Sequence, residues 1–189
     1  MRSCKVDIDG RACFLWAFML LLLPLRWMAA FFLASAWHEC CHFWMLYFLG
    51  VKIDRIQIGM GGVIMGITQL PTGQELLAAL AGPLGGFLLL AFYRRYPELA
   101  LCALVQSVYN LLPVYPLDGG RVARCLCELA FPGHVDPVCW VVEASVLVGI
   151  FILGLFVNWG IVSIVTAAVL VCKLLRGKIP CKPCNLRVQ

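Results

Sequence analysis

Charged residues are scarce in this sequence of 189 residues, and together they make up only 13% of it. A soluble domain has about a quarter of its residues charged and about half of them apolar, whereas here 62% are hydrophobic. This shortage of charge argues against a water-soluble protein and leaves no room for a second large soluble domain. Apolar runs of about 20 residues recur, which is the length that crosses a lipid bilayer.

A large basic surface and a disulfide framework are also lacking. The formal net charge is +5, but the basic residues form short groups between apolar runs, so the charge does not indicate nucleic-acid binding. The 11 cysteines lie mostly in apolar segments, where free cysteine packs as a small hydrophobic residue. Cys181 and Cys184 form a lone C-x-x-C pair, which is half of a tetrahedral zinc site, and a solvated or partner-binding tail is the simpler interpretation.

The apolar runs predict an all-α polytopic membrane protein with about six transmembrane helices. In chain order the predicted spans are 12–25, 27–50, 74–93, 98–118, 138–156 and 158–175. Pro24-Leu25-Arg26 is the predicted turn between the first two spans. Pro113 and Pro116 are expected to interrupt the helix late in the fourth span, because proline disrupts a helix interior.

Residues 51–72 do not follow the helical pattern. β-branched residues alternate there with Gly59, Gly61 and Gly62, which predicts a short β-hairpin. An open sheet edge cannot face lipid, so the hairpin is predicted to be membrane-associated, in the interface, beside a cavity or shielded by protein.

Basic residues set the predicted orientation. Six spans put both termini on one side, and with cytoplasmic termini only Arg26, Arg94 and Arg95 of the 15 lysines and arginines lie outside. The sequence therefore predicts a multi-pass protein of the cell membrane, with one domain over 1–175 and a basic cytoplasmic tail over 176–189. A signal peptide cleaved after Ala34-Ser35-Ala36 is the alternative, although the apolar character continues past that site.

Three ionisable residues, His38, Glu39 and His42, interrupt the apolar stretch ASAWHECCHFWML. Histidines four residues apart share one face of a helix, so both imidazoles can bind one zinc ion. Glu39 can then accept a proton from a nearby water and deliver it to a departing amine, as in the H-E-x-x-H pattern of metalloproteases. Ionisable groups in a lipid-spanning helix cost a few kcal/mol each, which a metal offsets. A histidine pair packed against polar partners from other helices is the alternative.

Catalytic zinc usually takes three protein ligands and leaves one position for water. The acidic candidates are Asp7, Asp9, Asp54, Glu75, Glu98, Asp118, Glu128, Asp136 and Glu143. Most of them lie in loops or at span ends, where a solvated carboxylate needs no explanation. Asp118 differs, because it follows two prolines and precedes Gly119-Gly120. Irregular backbone near membrane depth implies a polar cavity, so Asp118 is expected near His42 at the cytoplasmic side.

The HECCH motif, Ala81-Gly82-Pro83 and the pattern N-x-x-P-x-x-P-x-D-G over 110–119 together resemble the site-2 protease family of intramembrane zinc metalloproteases. The sequence is most similar to the sporulation factor IV branch, which processes a membrane-associated pro-sigma factor. The resemblance implies that His38, His42 and Asp118 bind zinc, that Glu39 is the catalytic base and that Asn110 helps to hold substrate. It also implies that the hairpin lies by the substrate entry path.

The function expected from the motifs and the resemblance is hydrolysis of peptide bonds in transmembrane or membrane-tethered substrate proteins, as in regulated intramembrane proteolysis. The expected partners are the substrate, the lipid bilayer and a membrane regulatory protein, with no nucleic acid. The alternative is a metal-binding membrane protein without protease activity, such as a transporter or a scaffold. Intramembrane polar residues that converge on one place, rather than forming a path, favour catalysis.

Overall fold

The computed structural model describes residues 24–59, 62–67 and 70–156, the strand 5–8 and four isolated helical residues between 160 and 168. These residues belong to two compact units, one extending to Asn110 and the other starting at Leu111. Most of the predicted spans 12–25 and 158–175, and the whole tail 176–189, lie outside the described residues. The count of six spans, the single domain and the role of Cys181 and Cys184 therefore stay predictions.

The first unit contains three long helices, α1 (Leu25–Phe48), α2 (Thr72–Leu88) and α3 (Pro97–Asn110). A 3-10 turn, Leu89–Phe92, extends α2. Helices are thus confirmed where spans 27–50 and 74–93 are predicted. Helix α3 corresponds to the fourth predicted span but is shorter than the predicted 98–118. The chain leaves regular helix before Pro113, because proline lacks the N–H that a helix interior needs.

Small residues on α2 allow the three helices to pack closely. A Cβ on Gly85 would collide with Cys41 Sγ of α1, and a Cβ on Gly86 would collide with Ser107 Oγ of α3. The indole N–H of Trp37 donates a hydrogen bond to the Gly85 carbonyl at 2.8 Å. These contacts fix α2 between its two neighbours, beside a buried cluster that includes Ala34, Leu89 and Ala103.

The first unit also carries three strands, β1 (Lys5–Ile8), β2 (Ile53–Gly59) and β3 (Gly62–Ile67). β2 pairs with β3 in antiparallel register and with β1 in parallel register. β2 and β3 lie in the segment for which a hairpin is predicted, and its association with a membrane stays a prediction. The described residues are mostly helical but not all-α, and β1 was not expected because four residues are too short to show a periodicity.

The second unit contains α4 (Asp118–Ala130) and α5 (Val135–Phe156), which pack against each other. A helix is confirmed where span 138–156 is predicted. The chain turns at 131–134 between the two helices. Helix α4 is rich in strong helix formers and has a stabilising ion pair one turn apart, Arg124 with Glu128 at 3.3 Å. The irregular backbone after α3 ends at 117, so Asp118 begins a helix instead of lying within the irregular stretch.

Among the described residues, two helical segments are long and apolar enough to cross a membrane, judged by length and composition. They are Thr72–Phe92 and Val135–Phe156. Helix α1 has 24 residues but is not one of these, because His38, Glu39 and His42 lower its hydropathy. The apolar segments thus agree with two of the six predicted spans.

A candidate metal site on helix α1

Helix α1 presents His38 and His42 on its buried face, where they are 3% and 8% exposed. One helical turn separates them, and their ring centroids lie 4.8 Å apart. Two imidazoles buried this deeply in an apolar helix must form compensating polar interactions. The partners of their ring nitrogens therefore indicate which kind of ligand this site can bind.

The hydrogen bond made by His42 defines which of its nitrogens carries the lone pair. His42 Nδ1 lies 2.7 Å from the carbonyl oxygen of Ala78 on α2. A carbonyl oxygen can only accept, so Nδ1 carries the proton, and in the neutral ring Nε2 carries the lone pair. Metal-ligating histidines commonly donate their other N–H to a backbone carbonyl in this way, which fixes the tautomer and the ring orientation.

The Nε2 atoms of His38 and His42 face each other at 3.2 Å. The side-chain amide nitrogen of Asn110, the last residue of α3, lies 3.4 Å from His38 Nε2. An amide N–H donates, so His38 Nε2 acts as an acceptor there. If both Nε2 atoms are unprotonated, a single cation between them could accept both lone pairs.

The separation of these two nitrogens fits zinc. Two nitrogens bound at about 2.0–2.1 Å to a tetrahedral ion lie about 3.3–3.4 Å apart. The observed separation between His38 Nε2 and His42 Nε2 is 3.2 Å, so the rings need almost no movement to bind one ion together. The donor chemistry, two neutral imidazoles, is also of the type that zinc prefers.

Gly82 allows helix α2 to lie directly against the paired nitrogens. A Cβ built on Gly82 would lie 2.7 Å from His38 Nε2 and 2.6 Å from His42 Cε1, and it would also collide with His42 Nε2. No side chain fits at this position without displacing an imidazole. The glycine of the Ala81-Gly82-Pro83 motif is therefore part of the wall of the site, in addition to its role in helix packing.

A second polar contact between α1 and α3 lies about one turn away from the contact between His38 and Asn110. The side-chain amide of Gln106 donates to the Ser35 hydroxyl at 3.0 Å. Because Ser35 and Gln106 precede His38 and Asn110 by three and four residues, they lie on the same faces of their helices. This second bond helps to fix the position of the Asn110 amide relative to His38.

The structure brings His38, His42 and Asn110 together, with the half-buried Glu39 next to His38 on α1. Asp118 is described in the second unit. It is the first residue of α4, its side chain is 14% exposed, and its carboxylate lies 3.9 Å from the guanidinium of Arg121. A negative charge at a helix N-terminus is stabilised by the helix dipole, and the deprotonated carboxylate is the form that binds a metal.

The chain has the fold of a site-2 protease. It matches the solved structure of a site-2 protease from Methanocaldococcus jannaschii with a TM-score of 0.63 and 22% sequence identity, over 90% of this chain and 92% of that chain. It is also 32% identical over 126 residues to a zinc metalloprotease of Methanocaldococcus jannaschii, an alignment that covers 59% of this chain and 34% of that protein. The chain thus spans about a third of that relative's length. No model of a known protein family matches it.

Two features of the site could not be predicted from the sequence. The Ala78 carbonyl orients His42, and no sequence signal marks a main-chain oxygen as a functional group. Gly82 is part of the Ala81-Gly82-Pro83 motif on which the family resemblance partly rests, but its contact with the ring nitrogens depends on how α2 packs on α1. The metal-binding potential of His38 and His42, by contrast, follows from their spacing alone.

Proposed function

We propose that this chain is an intramembrane zinc metalloprotease of the site-2 protease family, which hydrolyses peptide bonds in transmembrane or membrane-tethered proteins. The observation that carries the proposal is the pair of buried imidazole nitrogens, 3.2 Å apart, with the His42 tautomer set by Ala78. The shared fold and the zinc metalloprotease relative support it.

A membrane location is supported by the outward-facing side chains. Helix α1 exposes large apolar residues that include Phe31 (48%), Leu33 (61%) and Phe48 (81%), and helix α5 exposes Leu153 (62%) and Phe156 (83%). Soluble proteins rarely expose contiguous apolar surface on this scale, whereas lipid-facing helices require it. We therefore place the chain in the cell membrane, with six spans and cytoplasmic termini as the orientation that the basic residues favour.

In the proposed site His38, His42 and Asp118 bind the zinc ion, and Glu39 is the general base that transfers the proton. Bound zinc supplies Lewis acidity, which lowers the pKa of water and polarises a substrate carbonyl. Glu39, next to His38, accepts the proton from the attacking water and returns it to the amine that leaves. Asn110 lies beside His38 and is assigned to substrate binding, because its amide can donate to a peptide carbonyl.

The assignment of Asp118 is supported by the compact folding of the chain from Leu111 to Gly119. A Cβ on Gly119 would collide with the carbonyl group of Leu111, so the first turn of α4 returns to the start of the loop. Leu111 directly follows Asn110 in the sequence. The loop 111–117 is therefore compact, and an aspartate at its end would complete a three-ligand zinc set.

The substrate is expected to present an extended segment, since helical peptide bonds are internally hydrogen-bonded and closed to attack. Strand β3 lies at an edge of the described three-stranded sheet, and such an edge can pair with an extended segment, as in β-strand addition. We assign the chain to the sporulation factor IV branch on the motif NLLPVYPLDGGR, with a membrane protein as its regulator. A transporter or scaffold that binds metal without proteolysis is the competing function.

Removal of zinc is expected to abolish proteolysis reversibly. The purified protein should contain about one zinc ion per chain, lose activity when dialysed against a chelator and regain it on addition of zinc, as expected for a catalytic zinc site. Metal content is measured by elemental analysis, and activity by cleavage of a membrane-tethered substrate. Bound zinc without any cleavage would favour the transporter or scaffold.

Asp118→Asn is expected to weaken zinc binding by more than about 100-fold. Loss of an outer-shell partner typically costs 10–100-fold in metal affinity, and loss of a ligand should cost more. The matched control is Asp136→Asn, because Asp136 is half-exposed and lies 3.3 Å from Arg124, outside the proposed site. Equal zinc affinity in the two variants, measured by competition with a chelator, would remove Asp118 from the ligand set.

A further inference from the structure

Glu143 is a buried carboxylate in the middle of an apolar helix. It lies within the predicted span 138–156 and is only 8% exposed. Cys139 and Leu147, one turn before and after it on α5, are also buried. An ionisable residue within an apolar, membrane-length helix is expensive and usually functional, so its partner identifies its role.

The partner of Glu143 is the main chain of the loop that leads to Asp118. Glu143 Oε1 accepts a hydrogen bond from the backbone N–H of Tyr115 at 2.8 Å. This bond ties α5 to the loop over 111–117 at one defined peptide.

The other backbone N–H groups of this loop are either absent or bonded within the loop. Within the described stretch 113–117, two of the residues are prolines and carry no N–H. The Val114 N–H donates to the Leu112 carbonyl at 2.7 Å, and the Leu117 N–H donates to the Val114 carbonyl at 2.9 Å. Tyr115 supplies the remaining amide, and it bonds outside the loop, to Glu143.

The Tyr115 peptide also lies against the first turn of α4. A Cβ on Gly120 would lie 2.7 Å from the Tyr115 nitrogen and 2.8 Å from the Val114 carbonyl oxygen. Gly120 follows Asp118 by two residues. The peptide is thus held between the Glu143 carboxylate and the turn that carries Asp118, so a shift of this peptide displaces that turn.

We propose that Glu143 is a positioning residue for Asp118, acting through the Tyr115 peptide. The proposal rests on the proposed function, in which Asp118 is a zinc ligand. In this proposal Glu143 acts through the Tyr115 peptide and is not assigned to the metal or the substrate. It fixes the loop that follows Asn110, and thereby the position of the first turn of α4. Partners that orient metal ligands in this way are common in metal sites.

Glu143→Leu, Glu143→Gln and the control Ser145→Ala test this proposal in the full-length protein. Leucine has similar bulk but no acceptor, whereas glutamine keeps a carbonyl oxygen for the Tyr115 N–H. Ser145 lies on the exposed side of α5 and bonds only its own helix, at the Val141 carbonyl. Zinc affinity is measured with zinc alone by chelator competition, and amide hydrogen exchange is measured by mass spectrometry on peptides that cover 111–120.

Glu143→Leu is expected to bind zinc about 10–100-fold more weakly, as outer-shell variants do, and to exchange the Tyr115 amide faster. Glu143→Gln is expected to restore both readouts to near wild-type values, and Ser145→Ala to leave them unchanged. Wild-type zinc affinity together with wild-type exchange in Glu143→Leu would overturn the proposal. A loss that Glu143→Gln does not rescue would also overturn it, because a charge would then be required instead of an acceptor.

If Glu143→Leu does not accumulate in membranes, Glu143→Asp takes its place. That variant keeps the charge but withdraws the carboxylate by one methylene from Tyr115, so faster exchange and weaker zinc binding support the proposal and unchanged values contradict it. Failure of the proposed function is separable. If wild type binds no zinc, or if Asp118→Asn binds it as wild type does, the ligand assignment fails, while amide exchange still reports the contact between Glu143 and Tyr115.

Discussion

Glu39→Gln is expected to abolish proteolysis while zinc remains bound. Glutamine has nearly the same shape as glutamate but cannot accept the proton from the attacking water. General acid–base groups contribute roughly 10²–10⁴-fold to rate, so cleavage should fall by at least about 100-fold. His38 and His42, whose Nε2 atoms lie 3.2 Å apart in the wild-type structure, are unchanged in this variant, so two of the proposed ligands are kept.

The measurement is co-expression of membrane-tethered substrates with wild type and with Glu39→Gln, followed by detection of new fragments. Zinc content is determined on the same preparations. The matched control is Glu98→Gln, which makes the same chemical change in the first turn of α3, where Glu98 lies 3.8 Å from Arg26. Fragments in the Glu39 variant at the wild-type rate would rule out its role as the base, and metal flux without fragments in wild type would indicate a transporter.

Gly82→Ala is expected to remove most bound zinc, although it adds only a methyl group. The new Cβ would lie 2.7 Å from His38 Nε2 and 2.6 Å from His42 Cε1, which is closer than real Cβ contacts. Either the imidazoles rotate away from each other or α2 moves away from α1. Both changes break the pairing of the two nitrogens, and movement of α2 also breaks the bond between His42 Nδ1 and the Ala78 carbonyl.

The matched control for this experiment is Gly73→Ala in the first turn of the same helix, where a Cβ would meet nothing within 4 Å. Alanine favours a helix over glycine by roughly 0.5–1 kcal/mol, so the control should be as stable as wild type or slightly more stable. Zinc content and thermal unfolding in detergent are measured for both variants. Full zinc occupancy in Gly82→Ala would show that α2 can shift to accommodate the methyl group without loss of the metal site. Close packing of α2 at Gly82 would then not be required for zinc binding.

The proposed site could be predicted from the sequence where the chemistry depends on local spacing. His38 and His42 share a face because a helix has 3.6 residues per turn, and that fact needs no tertiary information. Helices α1, α2 and α5 are likewise local, because long apolar runs bounded by proline or glycine predict them. The segment with strands β2 and β3 is also local, since β-branched residues and glycines mark it.

Tertiary packing decided the features that depend on which residues meet across the chain. In the sequence Glu143 is one of several acidic residues. Only the packing of α5 shows that Glu143 is buried and that its carboxylate accepts a hydrogen bond from the Tyr115 amide. The tautomer of His42 depends on a main-chain oxygen 36 residues away, and Gly82 matters only because α2 lies against α1. Periodicity determines which face of a helix is apolar, but the partner of that face is determined by close packing between segments far apart in sequence.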